Sequence, residues 1–183
     1  PIYNGVSYVG LSGPVKVDLN AAQGYHGYID NLSHITNVQG SNYGSTLKGD
    51  GQANILVGGS GSDTLEGGGG PDTLTGAGGV DTFIIDPNWT QTTITDFNVS
   101  NGDFIDLSGV GPFNSFQDVL NASSQSGADT IIQTGSGGSV RLEGVQKTSL
   151  TAQDFGFTGA GGAHAHAPAD FTGSGMSGLA WDN

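Results

Sequence analysis

From residue 40 the chain places one large apolar side chain at every ninth position: Leu47, Leu56, Leu65, Leu74 and Phe83. Read in nines, the segment runs GSNYGSTLK (40–48), GDGQANILV (49–57), GGSGSDTLE (58–66), GGGGPDTLT (67–75) and GAGGVDTFI (76–84). Glycine is always first, and Ser45, Asn54, Asp63, Asp72 and Asp81 stand sixth. A fixed interval of this kind marks a stacked solenoid, in which each unit can bury its apolar residue only against its neighbours. Positions one to four are rich in glycine, which accepts positive φ and lets successive turns lie close together. Positions seven to nine, as in Thr64-Leu65-Glu66, offer a β-branched residue and an inward aliphatic suited to a short strand. Each unit is then half a coil, one turn and one strand, and eighteen residues complete a circuit.

The flanks carry weaker patterns. Upstream, Val6 to Leu11 and Val15 to Leu19 read as short β runs, followed by Leu32, Ile35 and Val38 at intervals of three. Downstream, Thr93 to Phe97 and Asp103 to Ser108 bracket a turn at Asn101-Gly102. Residues 115–122 predict a short helix, with Ser115 as N-cap, Asp118 at N3, and Phe116, Val119 and Leu120 on one face. Residues 129–134 and 139–143 alternate about a glycine turn and predict a hairpin. The fold class expected is all-β: a parallel β-roll, or β-solenoid, of nonapeptide repeats with capping β segments and a short helix. Its divisions are an N-terminal cap or irregular solenoid coils at 1–39, the roll at 40–84, a C-terminal cap at 85–157, and a Gly/Ala-rich, poorly ordered tail at 158–183.

Composition shows what such a roll lacks. Glycine fills 34 of 183 positions, and so much glycine is entropically expensive to order. One Leu or Phe per nine residues makes a thin interior. Seventeen Asp and Glu face four Lys and Arg, none of them between Lys48 and Arg141. A surface of this sign repels itself and repels phosphate backbones, which excludes nucleic acid and anionic membranes as partners. A hard cation that takes six to eight oxygens answers both deficits, since the repeat supplies carboxylates and open glycine carbonyls. Its binding energy becomes folding energy where the site does not exist in the unfolded chain. No cysteine is present, so neither disulfides nor thiolate sites can staple the fold. No apolar run is long enough to span a membrane, and residues 1–20 do not read as a signal peptide.

GGSGSDTLE, GGGGPDTLT and GAGGVDTFI resemble the GG-x-G-x-D-x-U-x nonapeptides of the RTX, or haemolysin-type calcium-binding, family of secreted bacterial proteins. The resemblance implies calcium held between turns two units apart. It pairs Asp63 with Asp81 and Asn54 with Asp72, together with carbonyls of turn glycines such as Gly59, Gly61, Gly68, Gly70, Gly76 and Gly78. Ser45 and Asn54 depart from the Asp pattern, so the sites they join are expected to be weaker or differently completed. The stretch VDLNAAQGYHGYIDNLSHITNVQGS resembles the lead-in segments of large RTX proteins, with the physical task of capping the roll. Tyr25, Tyr28 and Tyr43 fit either that cap or an exposed aromatic platform for a sugar. The ITDF and GDFIDLS segments resemble the element that closes RTX rolls, which makes Asp96, Asp103 and Asp106 candidates for a last calcium site or a further one.

Signatures of catalysis are missing: there is no His-Glu-x-x-His, no G-x-S-x-G and no cysteine nucleophile. His26, His34, His164 and His166 are not spaced as a tetrahedral site, and the last two read as tail residues. Trp89 reads as packing. The leading expectation is therefore a non-catalytic, calcium-dependent folding and export module of a larger secreted polypeptide, extracellular or at the cell surface. Two others stand beside it. One is a calcium-dependent domain that binds polysaccharide or cell envelope through the tyrosines; the other is a fragment of a secreted polysaccharide-modifying enzyme.

Overall fold

The computed structural model describes residues 4–26, 29–87, 90–135 and 137–157. Tyr28, Trp89, His164, His166 and the rest of the expected tail lie outside them. The strands, in chain order, are β1 (Gly5–Ser7), β2 (Val15–Asp18), β3 (Gln23–Tyr25), β4 (Ile29–Asn31), β5 (Asn37–Gln39), β6 (Ser45–Lys48), β7 (Ile55–Gly59), β8 (Thr64–Glu66), β9 (Pro71–Ala77), β10 (Thr82–Ile84), β11 (Gln91–Ile94) and β12 (Phe104–Asp106). Helix α1 (Phe116–Ala122) follows, then β13 (Ser123–Ser126), β14 (Asp129–Gln133) and β15 (Ser139–Leu142).

The strands sort into two sheets. One runs β1-β5-β7-β9-β11-β15-β14-β13; the other runs β12-β10-β8-β6-β2-β3-β4. From β5 to β12 the chain alternates between them, and within each sheet the neighbours are parallel. Thr46 pairs with Thr64 and Thr64 with Thr82, while Ile55 pairs with Thr73. The coil is thus eighteen residues, and the nonapeptide is half of it. The architecture is a mostly parallel β-roll.

Side chains alternate along each strand, so one column per sheet faces inward. Val17, Leu47, Leu65, Phe83 and Ile105 stack in register in one sheet. Val38, Leu56, Leu74, Ile94 and Leu142 do so in the other. All ten are buried. The position-eight residues of the repeat are therefore the central rungs of a ladder that continues into both flanks.

Each end departs from the coil. At the N-terminal end, β2, β3 and β4 form an antiparallel meander. It is tied to the roll by the Tyr8 hydroxyl, which donates to Asp30 Oδ2 at 2.9 Å. At the C-terminal end β15 adds parallel to β11, and β14 and β13 fold back antiparallel. Helix α1 begins as its sequence predicts: Ser115 Oγ accepts from Asp118 N at 3.2 Å. Phe116 stacks on the buried Phe155 with centroids 6.1 Å apart. The hairpin at 129–143 forms too, braced by Arg141 Nε donating to Asp129 Oδ2 at 2.9 Å. The segments around Asn101-Gly102 are not partners of one another. β11 and β12 lie in opposite sheets, and their connection is a coil corner.

Phe83 is the largest rung, fully buried between Leu65 and Ile105 and edge-on to Phe97 at 6.2 Å. Phe83→Ala is expected to cost about 3–5 kcal/mol. Urea unfolding of the calcium-saturated chain measures it; a loss below about 1 kcal/mol would contradict a continuous packed ladder.

Candidate metal centre

Two rows of corners join the sheets. In the first row, turns at 40–44, 58–62, 76–80 and 96–102 lead into β6, β8, β10 and β12. In the second, turns at 49–53 and 67–70 lead into β7 and β9. The sixth residue of each unit closes its turn and points along the stack. In the first row the backbone N–H of Ser45 donates to Asp63 Oδ1, that of Asp63 to Asp81 Oδ1 at 2.8 Å, and that of Asp81 to Asp103 Oδ1 at 3.0 Å. In the second row Asn54 N donates to Asp72 Oδ1 at 2.9 Å. Each carboxylate thereby fastens its own coil to the one before it. Asp63 and Asp81 lie one coil apart, as do Asn54 and Asp72.

The second oxygen is what distinguishes the units. Ser45 Oγ accepts from Ser41 N at 3.0 Å, and Asn54 Oδ1 accepts from Asp50 N at 2.8 Å, so these neutral side chains close their own turns. Asp63 Oδ2 and Asp72 Oδ2 are buried and accept no hydrogen bond. Both lie over the first glycine of their unit. A Cβ built on Gly58 would sit 2.6 Å from Asp63 Cγ and 2.7 Å from the Gly76 carbonyl oxygen, and one on Gly67 would sit 2.9 Å from Asp72 Cγ. A carboxylate and a carbonyl oxygen thus both lie over Gly58, and no hydrogen bond reaches the Asp63 Oδ2. Burying such a carboxylate unpaired is costly, and a cation bound by oxygens fits the donor set. Among the described residues no three His, Asp or Glu side chains cluster as a metal site. The oxygens here are mixed, one carboxylate per half-coil with backbone carbonyls.

The other candidate residues are placed as follows. Gly59 and Gly76 are still in strands β7 and β9, and Gly59 O accepts from Gly78 N at 2.7 Å across the first row. Gly61 also lies in that row. Gly68 and Gly70 lie in the second, where Gly68 has φ +85° and a Cβ would fall 2.5 Å from Asp50 O. Only glycine allows that approach. Asp96 stands over the start of the 76–80 turn, where Oδ1 accepts from Gly76 N at 3.0 Å and Oδ2 from Ala77 N at 2.7 Å. Asp103 Oδ2 accepts from Asn98 N at 2.9 Å. Asp96 and Asp103 therefore flank one corner with Asp81. Asp106 stands apart, at the far end of β12, where it accepts from Ser108 N at 2.8 Å.

Thr92 carries no repeat signal in the sequence. It pairs with Asp72 and so holds the sixth-position column of the second row, its Oγ1 buried without a partner. The coil there spans twenty residues, which takes Thr92 out of the nonapeptide frame. Tyr25 and Tyr43 are 58% and 61% exposed. His26 contacts Asp30 at 3.0 Å, away from both rows.

Burial, first of all, pushes the carboxyls of Asp63 and Asp72 up to about 7 and that of Asp81 to about 6. The backbone donors of Ser45, Asn54 and Asp63 oppose the rise, and neighbouring acids add to it. A folded-state value above the ordinary ~3.9 makes protonation favour the fold. The stabilising effect is complete below the unfolded value and is lost as pH rises through 6–7. In EGTA the chain should therefore show more β signal by circular dichroism at pH 5 than at pH 8. In calcium the dependence should invert, with apparent affinity falling as protons compete. A pH-independent spectrum in EGTA would contradict the burial of these carboxylates.

The RTX calcium-binding nonapeptide repeat (four copies) matches residues 37–65 and 48–83. Among solved structures, the extracellular lipase LipA from Serratia marcescens shares the fold with TM-score 0.51 and 19% identity. The alignment covers 84% of this chain and 20% of the lipase, so the chain spans a fifth of that protein. The AlgE6R3 subunit of the Azotobacter vinelandii mannuronan C5-epimerase aligns with TM-score 0.38 and 27% identity over 76% of this chain and 91% of the subunit. No curated protein sequence matches. The period, the stacked carboxylates and the family match agree, and residues 37–83 of this chain are an RTX-type repeat module.

Proposed function

We propose that the chain is a calcium-dependent folding module of a larger secreted protein, ordering outside the cell and supporting that protein's export and stability. The observation that carries this reading is the pair of buried, unpartnered oxygens, Asp63 Oδ2 and Asp72 Oδ2, each set over a glycine. When bound, calcium supplies the positive charge that no side chain provides there, and takes these oxygens as ligands. Asp63 and Asp81 would hold an ion between the 58–62 and 76–80 turns, with carbonyls of glycines such as Gly59, Gly61, Gly76 and Gly78. Asp81 and Asp103, with backbone carbonyls, would hold one at the next corner, where Asp96 lies alongside on the amides of Gly76 and Ala77. Asn54 and Asp72, with Gly68 and Gly70, would hold one in the second row.

Without the ion, the chain's own residues oppose order. Ionised Asp63, Asp72 and Asp81 resist burial, and the glycine turns resist fixing. Where calcium is scarce, inside the cell, the chain stays open and exportable. Sites of the ~10⁻⁴–10⁻³ M class then close it in the extracellular medium. The lipase that shares the fold is itself extracellular, and the shared region is a fifth of it, which suits a supporting role in a longer polypeptide.

A second reading is calcium-dependent binding of polysaccharide or cell envelope through Tyr25, Tyr28 and Tyr43. The exposure of Tyr25 and Tyr43 favours it. Exposed aromatic rings beside a rigid sheet are the usual stacking surface for sugar rings.

Calcium titration followed by circular dichroism should convert coil to β, with EGTA reversing it. A chain already folded in excess EGTA at pH 8 would overturn the proposal. By calorimetry, Asp63→Asn should weaken binding about tenfold or more, on the scale of losing one charged ligand, and Asn54→Asp should strengthen it at the adjoining corner. On a glycan array, a calcium-dependent signal that vanishes in Tyr25→Ala with Tyr43→Ala would favour the second reading; an empty array leaves the folding module.

A further inference from the structure

One corner of the roll already contains a cation. Lys48 ends β6 and Glu66 ends β8, and the two are register partners. Lys48 Nζ lies 2.8 Å from Glu66 Oε1, with the Glu66 side chain 8% exposed. The Glu66 carboxyl also meets the side chain of Asp86. Lys48 and Asp86 share a cleft with Asp50 and with Gly68, Gly69 and Gly70 of the second-row turn. Acids and glycine backbone are thus gathered here as they are where the roll lacks a counter-charge, but an ammonium group stands among them.

The first row offers a direct contrast. The corresponding strand-end residues there are Gln39, Val57 and Thr75, in register, followed by Thr95, whose hydroxyl meets that of Thr75 at 2.7 Å. None carries a charge. Of the four basic residues in the chain, Lys48 alone lies within the five repeats.

We propose that the Lys48 ammonium is a built-in counter-ion for Glu66 and Asp86, which keeps these strand-end acids from taking up a calcium ion of their own beside the one assigned to Asn54 and Asp72, and so sets the number of ions the roll binds. The inference rests on the calcium reading above and deepens it. An ammonium ion on a flexible stem can neutralise a buried carboxylate without supplying the six to eight oxygen contacts that calcium demands. Glu66 is thereby provided for by the chain itself, and its coil-to-coil pairing is independent of calcium, unlike that of Asp63 or Asp72.

Isothermal titration calorimetry of the full chain with calcium chloride tests this by counting ions. Lys48→Met should raise the count by one over wild type, Lys48→Arg should keep the wild-type count, and Lys48→Met with Glu66→Gln should return to it. An unchanged count in a folded Lys48→Met variant would overturn the proposal. Should that variant fail to fold in calcium, Glu66→Gln alone decides. Its count equals that of wild type if Lys48 serves Glu66, and falls by one if Glu66 is a calcium ligand, which would also overturn the proposal. The difference between variant and wild type tests Lys48, whereas a wild-type count of zero would overturn the calcium reading instead.

Discussion

The whole stack depends on one group used in two ways: a sixth-position carboxylate that accepts an N–H from the preceding coil. Oδ1 of Asp63, Asp72, Asp81 and Asp103 each takes such a bond, and this aligns the coils and closes the turn. The remaining oxygen is the difficulty. At Asp63 and Asp72 it is buried among acceptors. A neutral side chain would avoid the cost, as Ser45 and Asn54 do by turning back on their own units. Asp fastens the coil while leaving an oxygen that only a cation or a proton can satisfy. On the calcium reading proposed above, the fold is therefore conditional on its solution.

This conditionality accounts for the thin core. A roll with one large rung per half-coil buries little apolar surface, and its glycine corners are costly to order. A protein folded by hydrophobic burial alone would need a thicker interior and fewer glycines. Here the interior aligns coils, through Leu47, Leu65, Phe83 and Ile105 on one side and Leu56, Leu74 and Ile94 on the other. The corners supply the dependence on solvent ions.

The roll was legible from sequence because its physical period is constant. A coil of two equal halves repeats chemistry every nine residues, and Leu, Asp and Gly each hold one place in it. Legibility failed where the coil length changed. Val17 pairs with Leu47 and Val6 with Val38, across connections that contain the β3–β4 meander or a long loop. Thr92 sits under Asp72 only because two extra residues enter that coil. Spacing therefore hid both the inward role of Val17 and the column position of Thr92. The helix and hairpin at 116–142 could be read because their signals are local: a capping serine, alternation and a glycine turn. β13 could not, since SSQS carries no alternation and pairs with β14 only after the helix delivers it. Asp106 shows a further limit. Three residues from Asp103 in sequence, it is carried by β12 to the opposite corner of the coil.

Charge is also graded along the axis. Among the repeats, the units at 40–57 close their turns with Ser45 and Asn54, and the only lysine of the roll stands beside them. From Gly58 onward the first row carries Asp63, Asp81, Asp96 and Asp103 with no basic residue before Arg141. The demand for an external cation therefore rises toward the C-terminal cap, which is built on conventional packing of Phe116, Phe155, Val119 and Ile132. A self-satisfied lead-in and a packed cap thus bracket the acidic coils, so the segment with the most uncompensated carboxylates is the one whose two ends are already supplied with partners.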